Sequence, residues 1–357
     1  MTVALYVTST ETFSGKSALC IGLMRRLRTD GLKVGYFKPI SFTSRRGEEG
    51  AVDEDTAVVK DTFFLEEPVD VLCPVLVTHE LMESVIKGQA PDFAAKIKAA
   101  YATVAKDKDI VIIEGANNVA SGSLINMSGI EVIAAFHAKA IVVVRYRDDL
   151  VLDHLLIAKR VVGAPVIGAV VNTVPGHRMD FVEHEVAPFC LKRGIKVFAT
   201  LPQDRVLMST SVGEIVEALS GEVLCGQDHM DELVENLLVG AMSVDSALKY
   251  LRRKANKVVI TGGDRPDLQL AALETASKCL VLTGNLHPSP IILGRAEELG
   301  VPVVLVKQDT LSAVDIVEST FSRVRFHDEK KIRRFEALLN EHFDYPALYA
   351  ELGLQKK

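Results

Sequence analysis

Tryptophan is absent from this chain of 357 residues, and several other features are missing with it. The five cysteines (Cys20, Cys73, Cys190, Cys225 and Cys279) are scattered and form no CxxC pair. That excludes a disulfide framework and a cysteine zinc site, and fits buried thiols in a reducing cytoplasm. The nine histidines show no ligand spacing such as HExxH, so His177 and His184 read as solvated surface residues. Basic excess is lacking too. Lys and Arg number 41 against 47 Asp and Glu, a net charge of −6, which favours neither nucleic acid nor an anionic membrane surface. No apolar stretch approaches the roughly 20 residues that span a bilayer, and the N-terminus starts on a strand pattern instead of a charged leader. The expectation is a cytoplasmic protein with no membrane and no nucleic acid among its partners.

What is present is ample apolar material, 48% of the residues, in a chain too long for one ordinary core. Short Val- and Ile-rich runs at 3–7, 33–37, 110–113, 140–144, 166–171 and 196–199 alternate with helical patterns at 16–28, 92–105, 149–162 and 180–193. Gly31 and Gly194 stand where a helix C′ residue takes positive φ. Several runs are apolar throughout, as in parallel strands covered on both faces. This alternation predicts an α/β fold with a doubly wound, mostly parallel sheet over residues 1–218. A second series predicts a smaller α/β domain over 221–330, with strands at 222–225, 257–261, 278–282 and 301–306. Its helices are expected at 230–239, 244–253, 266–276 and 288–298. Residues 331–357 read as a helical tail.

The chemistry concentrates at strand ends. Ser9-Thr10-Glu11-Thr12-Phe13-Ser14-Gly15-Lys16-Ser17 lies between a strand and a helix, the arrangement that cradles nucleotide phosphates. Gly15 permits close backbone approach, Lys16 is placed for terminal phosphates, and the Ser17 hydroxyl for Mg²⁺. The usual first glycine is missing: Thr10 or Ser9 stands in its place, depending on the spacing. Glu114 ends the strand 110–113 where a carboxylate reaches a metal, or caps the next turn. Lys38 ends the second strand and is placed to neutralise a phosphate, or is a surface lysine. Asp53-Glu54-Asp55 offers a second metal ligand or an acidic helix start. Asn172, before Thr173-Val174-Pro175, offers a donor and an acceptor to a base edge, or marks a turn. In the second domain, Gly262-Gly263-Asp264-Arg265 and Thr283-Gly284-Asn285 end successive strands. These are candidates for an effector crevice or, through an Asp264–Arg265 pair, a subunit interface.

Together these residues resemble the dethiobiotin synthetase family of P-loop proteins. The resemblance implies phosphate or carbamate contacts from Thr12, Lys16 and Lys38, within a loop that includes Ser14 and Gly15. It implies Mg²⁺ on Ser17, Asp55 and Glu114, and base recognition at Asn172 and Pro175. Lys16 and Lys38 would be catalytic if the chain is an enzyme. The pattern departs after Glu114, where Ala116-Asn117-Asn118 replaces a glycine-rich segment. A closer resemblance, over nearly the whole chain, is to the non-catalytic N-terminal region of long bacterial phosphate acetyltransferases. It rests on residues 34–40 (VGYFKPI), 110–115 (IVIIEG), 168–172 (GAVVN), 261–267 (TGGDRPD) and 281–284 (VLTG), the last two resembling a DRTGG-type domain. In that family the region is linked to oligomer assembly and metabolite control. The resemblance therefore implies an ATP- and Mg²⁺-binding protein with a regulatory or assembly role. It implies a homodimer or higher homo-oligomer, with an acetyltransferase or other metabolic enzyme as a possible partner. Acetyl transfer is not expected, because the resembling region precedes the transferase domain. Two alternatives stand beside this reading: an ATP-dependent ligase acting on a carboxylate or amine, and a scaffold with a degenerate P-loop.

Overall fold

The computed structural model describes residues 2–42, 45–47, 50–322 and 329–356. The chain divides into two compact units, one of Met1–Gln203 with Phe326–Lys357 and one of Asp204–Arg325.

Unit 1 is built on β1 (Val3–Ser9), β2 (Val34–Phe37), β3 (Ile110–Glu114), β4 (Lys139–Arg145), β5 (Val166–Val174) and β6 (Lys196–Pro202). Their spatial order is β6-β5-β4-β1-β3-β2, and every neighbouring pair is parallel. Parallel pairing requires crossovers, and the crossover helices cover both faces. Leu5, Val7, Ile110, Val111, Ile112 and Ile113 are accordingly buried completely. The strand order reverses around β1, so the crevice outside the carboxyl ends of β1 and its neighbours is the natural ligand position.

Helix α1 (Lys16–Thr29) follows β1 and ends before Gly31, whose φ of 87° is the left-handed turn expected there. Its outer side is covered by the helix Glu329–His342, which buries Ile332, Phe335, Leu338 and Leu339 at helical spacing. A Cβ added to Gly22 would strike Leu339. Arg25 bonds Glu329 and Glu336 at 3.0 and 3.1 Å. The last helix, Tyr345–Leu352, places Tyr345 under the Arg26 guanidinium, 4.4 Å from the ring centroid. Residues 331–357 are therefore not a separate tail, since an amphipathic helix must bury its apolar stripe and finds that partner in α1. The boundary expected at 218 also shifts. Unit 1 ends at Gln203, and the helix Val212–Leu219 gives Val212, Ile215 and Leu219 to the core of unit 2.

Unit 2 carries β7 (Glu222–Cys225), β8 (Asn236–Val239), β9 (Lys257–Gly262), β10 (Ser277–Thr283) and β11 (Val303–Leu305) in the order β7-β11-β10-β9-β8. Within this sheet only the β7–β11 pair is antiparallel. The helix expected over 230–239 is replaced by strands Leu233–Val234 and Asn236–Val239. Met230, Leu233, Val234, Leu237 and Leu238 follow a helical period. Pairing with β9 nevertheless sends Leu237 and Leu238 into cores on opposite faces, and that tertiary burial overrides the local pattern. Among the described residues no helix is long and apolar enough to cross a membrane. All five cysteines are free and buried.

Lys257, at the start of β9, is fully buried, and its ammonium donates to the Thr275 carbonyl at 3.2 Å. Burial pushes its pKa down from the ordinary 10.5 to about 8. Below pH 8 the folded protein carries a desolvated charge. Between about 8 and 10.5 the folded amine is neutral while the unfolded one remains charged, so this group makes stability rise with pH in that window. Lys257→Met is expected to raise the thermal midpoint by a few degrees at pH 7. Calorimetric scans from pH 7 to 10 should show that advantage shrinking as the wild-type lysine discharges.

Candidate functional site

The loop between β1 and α1 turns through two left-handed residues, Phe13 at φ 55° and Gly15 at φ 101°. A Cβ on Gly15 would collide with the Asn172 amide, so glycine is required there both by backbone and by space. Ser9 and Thr10 do not have positive φ, so the backbone makes no demand for the missing first glycine. Ser9 is completely buried and its hydroxyl is used. It donates to the Glu11 carbonyl at 2.5 Å and accepts from the Lys16 ammonium at 2.9 Å. Lys16 also donates to the Asn117 carbonyl at 3.0 Å. Asn117 lies in the segment that departs from the synthetase pattern. The next residue, Asn118, accepts from the amides of Ala120 and Ser121 and closes that segment as a turn.

The start of α1 and the end of β2 converge on Glu114, the last residue of β3. Ser17 at the start of α1 donates to its Oε1 at 2.8 Å, and the Tyr36 hydroxyl from β2 donates to its Oε2 at 2.9 Å. The Lys38 ammonium lies 3.7 Å from Oε1. Lys38 is buried, not a surface lysine, and bonds Asp53 at 3.0 Å and Asp55 at 2.8 Å. The two aspartates do different work. Asp53 caps helix α2 (Glu54–Phe63), accepting from the Thr56 amide and hydroxyl, and is fully buried. Asp55 is two residues further on, in the first turn of α2, and about a third exposed. Tyr36 escaped the sequence reading, although its spacing of two from Lys38 on an extended run was the available signal.

Burial pushes the Lys16 amine down to about 8, against an upward pull from Glu114. Burial also opposes charge on Lys38, but Glu114, Asp55 and Asp53 outweigh it and hold that amine well above its ordinary value. Glu114 is raised by burial, with Lys38 pulling the other way. The pocket therefore holds a fixed cation at Lys38, a cation poised near neutrality at Lys16, and a carboxylate short of solvent.

Thr12 sits exposed on the loop. Ser14 is buried with no hydrogen-bond partner for its hydroxyl. The Asn172 amide donates to the Ser14 carbonyl at 2.9 Å, so in this structure it clamps the loop. The Pro175 carbonyl accepts from Arg178 and starts a turn. Among the described residues no group of three or more His, Cys, Asp or Glu gathers to bind a metal. A Mg²⁺ ion on a phosphate needs only one or two carboxylates, with phosphate and water completing its shell. The orphaned Ser14 hydroxyl, the tight cradle at Gly15 and the oxygens of Ser17, Glu114 and Asp55 fit a nucleotide with Mg²⁺.

In unit 2 the turns after β9 and β10 do meet. The Gly263 amide donates to Thr283 O at 3.3 Å, and a Cβ on Gly263 would strike the Leu286 backbone. The Gly284 and Asn285 amides donate to Gln308 O and Val306 O, both at 2.9 Å. The amides of Gly263, Gly284 and Asn285 are thus already engaged with backbone carbonyls. Arg265 pairs with Asp267 at 3.1 Å and also donates to Met242 O. Gln269 bonds the carbonyls of Gly262 and Gly263.

Asp53 both caps α2 and neutralises Lys38 out of water. Asp53→Ala should destabilise the protein by about 3 kcal/mol, the scale for breaking a buried pair from one side. Denaturant titration checks this, and a loss below about 1 kcal/mol would show that Asp55 and Glu114 suffice for Lys38.

The AAA domain family matches residues 3–211, and the DRTGG domain family matches residues 214–320. The phosphate acetyltransferase of Synechocystis sp. is 27% identical over 96% of the chain and 51% of its own length. That of Nitratidesulfovibrio vulgaris is 24% identical over 98% of the chain, again 51% of its own length. The chain thus spans about half the length of these curated relatives. Among solved structures, the septum site-determining protein MinD of Pyrococcus horikoshii, complexed with Mg-ADP, aligns with a TM-score of 0.35 at 14% identity, covering 58% of this chain and 84% of that one. With more than half of its residues in the first match, the chain belongs to the AAA domain family, joined to a DRTGG domain in the arrangement of the N-terminal region of phosphate acetyltransferases.

Proposed function

We propose that this is a cytoplasmic ATP·Mg²⁺-binding protein with a regulatory or assembly role, the counterpart of the front half of the acetyltransferases it resembles. The observation that carries this is the convergence of Lys16, Ser17, Glu114 and Lys38 at the carboxyl ends of β1, β2 and β3, around a loop whose Ser14 hydroxyl is buried and unmatched. Lys16 would meet the terminal phosphates. Ser17 and Glu114, with Asp55 across Lys38, would hold Mg²⁺, which neutralises charge on the phosphate oxygens. Unit 2 supplies the regulatory or self-associating part. Calorimetric titration with ATP and Mg²⁺, with light scattering before and after, tests the reading: binding that changes assembly is expected. Turnover of ATP only with an acceptor present would favour the ligase reading, and absence of binding would favour a scaffold.

Lys16→Ala should weaken ATP binding about tenfold to a hundredfold, the worth of a charge-assisted hydrogen bond. The wild-type affinity should also fall as pH rises through about 8, where the free amine loses its proton, while the Lys16→Ala affinity stays level across the same range. A profile shared by both proteins would remove Lys16 from the contact.

Glu114→Gln keeps the shape and removes the charge. Affinity for ATP should drop in Mg²⁺ and change little in EDTA. Equal losses in both media would mean that Glu114 supports the fold of the site and not the metal.

A further inference from the structure

We propose that Thr173 contacts the nucleoside part of the bound nucleotide through its hydroxyl. This rests on the nucleotide reading of the same site. Three observations meet at Thr173. The first is a bulge: Val171 pairs with Thr200 and Val174 with Pro202, so β5 carries one more residue than β6 between these pairs. Such bulges re-aim side chains beside functional sites. The second is backbone strain. Thr173 has φ 58°, a left-handed conformation that a β-branched residue avoids. The preceding side chain is fully engaged: the Thr173 amide donates to the Asn172 Oδ1 at 2.9 Å, and Asn172 Nδ2 donates to Ser14 O. The third is the Thr173 hydroxyl, which is buried and has no hydrogen-bond partner. A buried hydroxyl without a partner is costly unless something absent from the free protein satisfies it.

Position identifies which part of the ligand this is. In the sheet order, β5 lies on one flank of β1, while Glu114 on β3 and Lys38 after β2 lie on the other. The metal-binding and charge-neutralising groups therefore gather on the β3 side. On the opposite flank Asn172 is held on the loop, and the unpartnered Thr173 hydroxyl is a neutral group that suits a sugar hydroxyl or a base nitrogen.

The test compares ATP·Mg²⁺ with tripolyphosphate·Mg²⁺ by titration calorimetry on the full chain and three variants. Thr173→Val should weaken ATP roughly two- to tenfold, the worth of one neutral hydrogen bond, and leave tripolyphosphate unchanged. Thr173→Ser should bind ATP as the wild type does. Thr173→Gly should raise the thermal midpoint by relieving the strain, yet weaken ATP, and it serves if the valine variant does not fold. Wild-type affinity for ATP in both the valine and glycine variants would overturn the inference alone. Equal losses for ATP and tripolyphosphate would also overturn it, by showing a general effect on the loop. A wild-type protein that binds neither ligand would overturn the nucleotide reading, and this inference with it.

Discussion

The Glu114 carboxylate leaves water at the end of β3, and a buried carboxylate is tolerated only when its oxygens are matched. Its partners come from two separate places in the chain: Ser17 after the phosphate loop, and the stretch with Tyr36 in β2 and Lys38 just beyond it. Lys38 in turn requires Asp53 and Asp55, and Asp53 starts α2. One desolvated charge thereby fixes the relative positions of β2, β3, α1 and α2. The site is rigid because each of its charges needs the next. The two lysines show the range that such a pocket sets. Lys38, ringed by three carboxylates, stays charged, whereas Lys16, with hydroxyl and carbonyl partners, sits close to losing its proton.

Much of this was legible in the sequence, and the reason is local. A strand, a loop with Gly15-Lys16-Ser17 and a helix are adjacent in the chain, and apolar runs such as 110–113 announce strands buried on both faces. Glu114 and Lys38 were legible because they stand at strand ends, where open parallel sheets bind ligands. The less legible parts depend on distant partners. The sequence around 230–239 carries a helical period, and only its neighbour β9 makes part of it a strand. Nothing local joins residues 329–342 to α1. The strain at Thr173 has no sequence signature, since threonine is an ordinary strand residue and its left-handed φ arises from the bulge opposite β6.

The absent first glycine is instructive in the same way. A glycine is demanded by positive φ or by lack of room. Of the loop positions in question, only residue 15 shows both. At position 9 a side chain fits, and its hydroxyl joins Glu11 O to Lys16. The departure from the usual motif replaces backbone freedom with an extra crosslink inside the loop. The packed turns of unit 2 are a counter-example: there glycines at 263 and 284 serve close packing and turn geometry, with their amides already matched.

Unit 1 is discontinuous in the chain, since Asp204–Arg325 is threaded between its two parts. During synthesis, β1 to β6 and α1 emerge long before the helix that covers α1. Domains tend to fold as they emerge, so the inserted unit has its whole sequence available while unit 1 still exposes the α1 surface around Gly22 and Arg25. Completion of unit 1 thus waits for residues 329–352. A chain cut at the end of the DRTGG match would keep every residue of the site and leave the helix that carries Lys16 and Ser17 uncovered. The last thirty or so residues act on the site from behind, as the clamp that closes its supporting helix.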